Sequence, residues 1–327
     1  MRFAVRRLAF FLLTLWAALT LNFVLPRLMP GNPAIAMIAK FKGGVSPQAL
    51  HTLEVQFGVN THQSMISQYW QYLKNISTGN FGTSLSEYPT SVGHIIASAI
   101  PWTLGLVGLT TILSFILGTG IGIVGAWRRG GTLDSVMPPV FVITSVIPYF
   151  WLGLVLILIF GVKLQLLPTF FSYTYTLTPS FTPSFIFNVF EHALLPAFTL
   201  LITTIGTWIL TMRNTMITTL SEDYVRMARA KGLSNRRIML DYAARNAILP
   251  NLTGFAMSLG FVLGGAILVE YVFNYQGVGW LLLQAVENTD YPLMQTLFLL
   301  ITVGVLVAIL LSDLATAILD PRTRAAR

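Results

Sequence analysis

Long apolar runs in a chain with few charges predict an all-α integral membrane protein with six transmembrane helices. Of the 327 residues, 54% are hydrophobic and only 10% are charged, whereas a soluble domain carries about 25% charged residues. Each run is about 20 residues long, which suffices to cross about 30 Å of hydrocarbon as a helix. Because backbone polar groups cannot stay unpaired in lipid, a helix is the only conformation that fits such a run.

The predicted spans cover, in order, residues 8–26, a stretch within 95–127, a stretch within 135–162, 193–212, 248–269 and 293–312. The first run follows a basic N-terminus like a signal peptide, but it has the length of a span and no A-x-A site follows it. It is therefore predicted to stay as the first helix, with Asn22 as its polar intruder. Pro101 and Trp102 are predicted to mark the outer boundary of the second span.

The distribution of basic residues predicts that both termini are cytoplasmic, because basic residues concentrate on that side of a membrane. With this orientation the inner segments hold most of the 20 Lys and Arg residues, namely Arg2, Arg6, Arg7, Arg128, Arg129, Arg213, Arg226, Arg229, Lys231, Arg236, Arg237, Arg245, Arg322, Arg324 and Arg327. The outer segments keep Arg27, Lys40, Lys42, Lys74 and Lys163.

Two outer segments are longer than simple connectors. The first, residues 31–93, has a helix start signal at Ser46-Pro47, a helix-like stretch at 64–73 and a turn at 79–82. A connection of this length is usually functional or disordered, and its aromatic residues favour a folded external cap. A lid without a partner is the alternative. The second, residues 163–191, is rich in Phe and Tyr, which favours a membrane interface over a stacking surface for a sugar or peptide.

The longest charged stretch, residues 221–250, predicts two short helices in the inner loop 213–247. Ser221 is expected to cap the first helix, with Glu222 and Asp223 in its first turn. Gly232 is expected to end it in the left-handed conformation, and Ser234 to cap the second. Pairing is expected along the second helix from Arg237 to Asp241 and from Asp241 to Arg245.

The first of these helices has small residues at Ala228 and Ala230, with Arg226, Arg229 and Lys231 around them. Such a helix suits insertion into a groove on another protein. An ordinary solvated loop between two spans is the alternative.

Several catalytic patterns are excluded by their context. Residues 120–125 match G-x-G-x-x-G but lie inside the second predicted span, without a preceding strand. Gly118 and Gly122 there predict close helix packing instead. The chain has no Gly-Lys dipeptide, so it has no P-loop, and no cysteine, so it has no disulfide or thiolate metal site. Its four histidines are scattered, which argues against a zinc enzyme.

The predicted spans hold few ionisable groups, with Glu270 at the outer end of the fifth and Asp313 at the inner end of the sixth. Carriers driven by protons or sodium usually need carboxylates near the midplane. The sequence therefore favours an energy source outside this chain.

Several motifs resemble the transmembrane permease subunits of ABC importers, in the dipeptide/oligopeptide permease B-type branch that handles peptides, nickel and some oligosaccharides. In the inner loop the resemblance lies in residues 223–226, 228–233, 245–247 and 249–250. Elsewhere it lies in 30–33, 68–73, 80–85, 270–279, 290–293 and 320–322. The general importer motif begins Glu-Ala-Ala and carries Asp-Gly. Here Ala228-Arg229-Ala230 and Lys231-Gly232 stand instead, similar to the peptide-branch variant.

The resemblance implies that residues 1–327 form one permease domain in the inner membrane of a prokaryote, with 31–93 as an external cap and 213–247 as a cytoplasmic coupling loop. It implies a second homologous permease, two ATP-binding subunits and an external substrate-binding protein as partners. ATP and Mg²⁺ would bind to the partner subunits, and no cofactor to this chain. The residues implied to couple to the ATPase are Glu222, Asp223, Tyr224, Arg226, Ala228, Arg229, Ala230, Lys231 and Gly232. Glu270 and Phe273 are expected near the outer mouth of the pathway, with an interfacial anchor as the alternative for this stretch.

Within this resemblance di- or oligopeptides are the first substrate class and oligosaccharides the second. Nickel is third, because no cluster of His, Met or carboxylates suggests a metal path. A secondary transporter is the alternative from another class, followed by a membrane-bound enzyme. The chain itself is expected to have no catalytic residue.

Overall fold

The structure, a computed structural model, describes residues 2–28 and 63–319, and all regular elements in these ranges are helices. They are α1 Arg2–Leu28, α2 Met65–Ser77, α3 Val92–Trp127, α4 Thr132–Val146, α5 Tyr149–Lys163, α6 Pro183–Leu220, α7 Asp223–Ala230, α8 Asn235–Ala247, α9 Leu249–Gly264, α10 Ile267–Val272, α11 Val278–Glu287 and α12 Tyr291–Leu319. The predicted all-helical class is confirmed. The start signal at Ser46-Pro47 and the motifs at 30–33 and 320–322 lie outside the described residues.

Three of the described helices are by themselves long and apolar enough to cross a membrane: α3, α6 and the part of α12 from Tyr291 to Ser312. Counting each of two bent helix pairs as one span raises the number to five. Helix α1 contributes a shorter apolar stretch, Leu8–Val24. Several apolar helices are thus present, while the count of six spans stays a prediction.

The third predicted span is not one straight helix. Its two halves, Asp134–Thr144 and Tyr149–Lys163, are bent by 94°. Pro148 occupies the N-cap of α5, and Ile147 before it is extended, with φ −68° and ψ 122°. Proline disfavours the helical conformation in the residue that precedes it, which ends α4 at this point.

The boundaries of the neighbouring spans also differ from those predicted. Helix α6 begins at Pro183, so its first turns are formed by residues 183–191, the end of the aromatic outer segment. Helix α3 begins at Val92 and contains Pro101 in its interior, so the helix extends beyond the predicted boundary, and the place of Pro101 and Trp102 at the membrane interface stays a prediction. The fifth predicted span ends at Gly264 rather than at residue 269, and it forms a pair with α8 that is bent by 52°.

The chain divides into two compact units. The first contains Met1–Thr103, Leu263–Ile267 and Gln276–Val307. Its core is formed by the start of α3, helix α11 and the start of α12, with Val92, Ala285 and Leu297 completely buried. The predicted turn at 79–82 is confirmed, with positive φ at Gly79 and Gly82. Helix α2 packs on α1 through Tyr69 and Tyr72.

Asp290 fixes the loop before α3 within this first unit. Its buried carboxylate accepts hydrogen bonds from the Ser84 hydroxyl, from the Ser86 hydroxyl at 2.7 Å and from the Ser86 amide at 2.9 Å. It also accepts the Leu293 amide at 3.2 Å, which caps the first turn of α12. One side chain therefore joins two segments that are far apart in sequence.

The second unit contains Leu104–Val262, Leu268–Tyr275 and Ala308–Arg327. Within it α3 and α6 pack closely through the predicted glycine face. A Cβ atom on Gly118 would lie 2.6 Å from Trp208 Cβ, and one on Gly122 would lie 2.7 Å from the Ile209 carbonyl oxygen. The small-residue prediction is confirmed, because no larger side chain fits at either position.

Candidate functional site

The candidate coupling site lies between the end of α6 and the start of α9, and all its residues belong to the second unit. The break between its two helices falls at 231–234, as predicted. The start of α7 differs by one residue. Ser221 is the C-cap of α6, with its hydroxyl donating to the Thr218 carbonyl at 2.6 Å, so it does not cap α7. Glu222 occupies the N-cap of α7 instead, and Asp223 is the acidic residue of its first turn.

Gly232 ends α7 as predicted, with φ +73°. Its amide donates to the Arg229 carbonyl at 2.9 Å, and the Leu233 amide donates to the Ala228 carbonyl at 3.3 Å. These two bonds form a Schellman motif, which satisfies carbonyl groups that the helix end leaves free. The motif fixes the direction in which the chain leaves α7.

The inner face of α7 packs on its own chain. Val225 and Ala228 are buried against Ile238 of α8, and Trp127 and Leu220 pack on this cluster from α3 and α6. Only 2% of Ala228 is exposed. The small side chain predicted to face a partner therefore lies on the face that holds α7 to the membrane helices.

The outer face of α7 is exposed and charged. Eight of the predicted coupling residues have exposed side chains or backbone: Glu222, Asp223, Tyr224, Arg226, Arg229, Ala230, Lys231 and Gly232. Arg226 lies 3.7 Å from Asp223, and the Arg229 guanidinium lies 5.9 Å from the Trp127 ring. Exposed pairs of this kind add little stability, so the charges remain available to a partner surface.

Helix α8 is π-helical from Ile238 to Ala244. Ser234 is at its N-cap as predicted, although its side chain makes no capping hydrogen bond. Arg237 and Asp241 form the predicted pair at 3.8 Å. The second predicted pair, Asp241 with Arg245, is wrong, since no ion pair joins them within 4.0 Å. Arg237 precedes the π-helical stretch, whereas Asp241 and Arg245 lie within it and directly after it. Hydrogen bonds there run from i to i+5, so residues four apart no longer stack as in an α-helix.

Helix α8 is attached to α6 along its buried side. Ala243 and Ala244 pack against Met212 and Met216, and the Thr215 hydroxyl donates to the Ala247 carbonyl at 2.9 Å. Asn246 adds a bond from its side-chain amide to the Tyr224 hydroxyl at 3.0 Å, which joins α8 to α7. Because α8 is bonded to both α7 and α6, a displacement of α7 would also pull on α6.

An ion pair that the sequence did not predict lies beside this site. Arg213 Nε donates to Asp134 Oδ1 at 2.6 Å, and the Gly130 amide donates to Asp134 Oδ2 at 3.0 Å. The pair links α6 to the first turn of α4. Isolated opposite charges at the inner ends of two predicted spans are a sequence signal for such a pair.

Glu270 and Phe273, predicted near the outer mouth of a pathway, are both buried within the second unit, at 0% and 2% exposure. The Phe273 ring packs on Gly153 of α5, and its carbonyl accepts the Phe171 amide at 3.0 Å. Burial, and then the nearby Glu270 carboxylate, raise the pKa of the Tyr275 hydroxyl. Phe273 therefore joins the loop around Phe171 to the end of α10. A role of Glu270 and Phe273 near the mouth of a pathway stays a prediction, as does the interfacial anchor.

Two descriptions of known protein families match this chain. Residues 118–325 match the family described as binding-protein-dependent transport system inner membrane component. Residues 1–106 match the N-terminal part described for the membrane components of the same transport systems. Together the two matches cover both described ranges almost completely.

Three curated relatives are similar over most of their length. The oligopeptide transport system permease protein AppB of Bacillus subtilis (strain 168) is 32% identical, with 92% of each chain covered. The di/tripeptide transport system permease protein DppB of Pseudomonas aeruginosa (strain UCBPP-PA14) is 33% identical, with 98% of each covered. The glutathione transport system permease protein GsiC of Escherichia coli (strain K12) is 32% identical, with 99% of each covered.

The apolar helices, the anchored inner segment and these matches over nearly the whole chain lead to one assignment. The chain is a multi-pass membrane component of a transport system rather than an enzyme, and it belongs to the family of binding-protein-dependent transport system inner membrane components, the permease subunits of ABC importers.

Proposed function

We propose that this chain forms, with a second homologous permease, the pathway of an ATP-driven importer for di- or oligopeptides. The observation that carries the proposal is helix α7, which exposes a charged face while Val225 and Ala228 fix it to Trp127 and Leu220. Force applied to the exposed face by an ATPase subunit would reach α3 and α6 through this cluster. Movement of packed helices is one of the ordinary routes to alternating access.

Peptides are the proposed substrates because the relatives named above are permeases for oligopeptides, di- and tripeptides, and glutathione. Oligosaccharides and nickel remain the second and third substrate classes. Membership of a binding-protein-dependent family argues against the secondary transporter. Uptake of labelled dipeptides, tripeptides and glutathione in cells that lack this gene, with and without a plasmid copy, tests the substrate. Equal peptide uptake with and without the plasmid copy would overturn peptides as the substrate class.

The proposed assembly contains two ATP-binding subunits and an external substrate-binding protein, with ATP and Mg²⁺ bound by the partner subunits. Both termini and the 213–247 loop are proposed to be cytoplasmic, because most basic residues then lie inside. The external segment 31–93 is proposed to contact the binding protein. Residues 1–327 are proposed to form one permease domain, and Glu270 and Phe273 are proposed to support the outer mouth of the pathway.

Charge reversal on α7 tests the coupling role. Arg226 and Lys231 are exposed and belong to the predicted coupling set, so we expect Arg226→Glu with Lys231→Glu to abolish most ATP-driven uptake. Co-purification of the ATP-binding subunits should fall in parallel. Arg236→Glu is the matched control, since Arg236 is an exposed cation of the same loop outside α7. Equal loss in both variants, or normal uptake in the double variant, would contradict the assignment to α7.

Glu270→Ala tests the outer site. If the region supports the mouth of the pathway, uptake falls although the ATP-binding subunits still co-purify. Uptake at the wild-type level would count against any pathway role for Glu270. Val269→Ala, at a fully buried position next to Glu270 and outside the proposed mouth, serves as a control for general loosening of this region.

A further inference from the structure

Helix α2, Met65–Ser77, has three faces with different chemistry. Positions that recur at i, i+3, i+4 and i+7 share one face of a helix. One face carries Tyr69 and Tyr72, a second carries Ile66, Trp70 and Leu73, and a third carries Ser67, Gln71 and Lys74. The second face is apolar, yet Ile66 is 72% exposed and Trp70 is 68% exposed.

The tyrosine face fixes α2 to the C-terminal part of α1. The Tyr69 hydroxyl lies 2.8 Å from the Thr20 hydroxyl, and Asn22 donates to the Tyr72 hydroxyl at 3.1 Å. The Phe23 ring lies 5.1 Å from the Tyr69 ring, in an edge-on arrangement. One turn on, Arg27 Nε donates to Gln68 Oε1 at 3.3 Å.

These contacts place α2 where the first predicted span, residues 8–26, leaves the hydrocarbon. The side of α1 that faces away from the protein exposes large apolar side chains along this span, including Leu13, Trp16 and Leu21. The end of a membrane span lies in the headgroup region, where Trp and Tyr are enriched.

The charge and the pattern of α2 fit a lipid surface. Its only charged residue is Lys74, which lies on the polar face. An amphipathic helix with a cation on its polar face and Trp on its apolar face lies in the plane of the interface. A bilayer surface accounts for both stripes, with the apolar stripe turned to lipid and the polar stripe to water.

We infer that α2 is an interfacial helix, whose Ile66–Trp70 face is buried in the headgroup region of the bilayer beside α1. It would hold residues 65–77 of the external segment at the membrane, so that any contact with a substrate-binding protein would use other surfaces of that segment. This inference rests on the membrane location of α1 and on no particular substrate.

The absence of native cysteine allows a test free of background labelling. Single variants Ile66→Cys and Trp70→Cys probe the apolar face, and Ser67→Cys and Gln71→Cys are matched controls on the polar face. Each full-length variant, assembled in its complete transporter, is labelled with a polarity-sensitive fluorophore and placed in vesicles of phosphatidylethanolamine and phosphatidylglycerol. Quenching is measured with a lipid that carries a nitroxide near the headgroup and with aqueous iodide.

We expect lipid nitroxide to quench the labels at 66 and 70 several-fold more strongly than those at 67 and 71, and iodide to show the opposite order. This result should hold without the substrate-binding protein. Equal access of iodide to all four labels would overturn the inference. So would labels at 66 and 70 that neither quencher reaches, or that become shielded only when the binding protein is added. Peptide uptake, measured on the same variants, reports separately on the proposed function.

Discussion

Arg213 and Asp134 form an ion pair, with Nε and Oδ1 2.6 Å apart, that joins α6 to the first turn of α4. Both side chains are largely shielded from solvent. The Gly130 amide donates to the second carboxylate oxygen, Asp134 Oδ2, at 3.0 Å. Removal of one partner leaves a shielded charge without its bond, which costs more than the net gain from the pair. This relationship lies directly beside the segment proposed to receive force from the ATPase.

We therefore expect Arg213→Ala to destabilise the assembled protein by about 1–3 kcal/mol, the range for a lost partner of a shielded charged group. Arg213→Lys should recover part of this, because it keeps the charge but not the geometry of the guanidinium. Thermal unfolding in detergent measures the effect, with Arg128→Ala as the neighbouring control. Equal midpoints for Arg213→Ala and the control would show that the pair contributes no stability.

The packing of α3 on α6 gives a second prediction. A Cβ atom on Gly122 would lie 2.7 Å from the Ile209 carbonyl oxygen and 2.8 Å from Met212 Cβ. Since two helices must separate to admit it, Gly122→Ala should cost about 1–3 kcal/mol, the usual range for overpacking. Gly120→Ala is a matched control two residues away, because nothing lies within 4 Å of its new Cβ. Unfolding midpoints that fall equally for both variants would contradict this.

Predictions from the sequence succeeded where only one residue type can meet the structural requirement. The Gly118 and Gly122 face and the end of α7 at Gly232 were both predicted, since only glycine permits the close approach and the left-handed cap. The start of α7 was missed by one residue because Ser is a preferred N-cap residue and Glu is not, yet Glu222 occupies this N-cap without a side-chain bond. Only the bond from Ser221 to the Thr218 carbonyl decides between them.

Other features depend on partners that a sequence does not reveal. Asn22 was recognised only as a polar intruder, and the structure gives it bonds to Tyr72 and to the Gln295 carbonyl, 50 and 273 residues away. The burial of Ala228 was likewise missed. Small residues suit both an exposed groove contact and a tight internal one, and the position of Ile238 on α8 selects the second.

Asp290 provides a third prediction. Asp290→Asn keeps the shape of the side chain but replaces one acceptor oxygen with a donor, so bonds from Ser84, Ser86 or Leu293 must be lost. We expect faster amide hydrogen exchange at Ser86 and in the first turn of α12. The free energy of unfolding should fall by about 1–3 kcal/mol. Ser86→Ala, which removes one of the donors, should have a smaller effect. Unchanged exchange in Asp290→Asn would refute the role given to this carboxylate.

The last prediction concerns the turn that directs α7. Gly232 has φ +73°, and nothing lies within 4 Å of a Cβ added there, so a substitution acts through backbone strain alone. An alanine in the left-handed region costs about 1–2 kcal/mol, whereas asparagine tolerates that region better. We expect Gly232→Ala to speed exchange of the Leu233 amide, which loses its bond to the Ala228 carbonyl, and to lower ATP-driven uptake. Gly232→Asn should keep more of the Leu233 amide protection and more of the uptake. Identical uptake and exchange in the alanine variant and the wild type would show that this cap has no part in coupling.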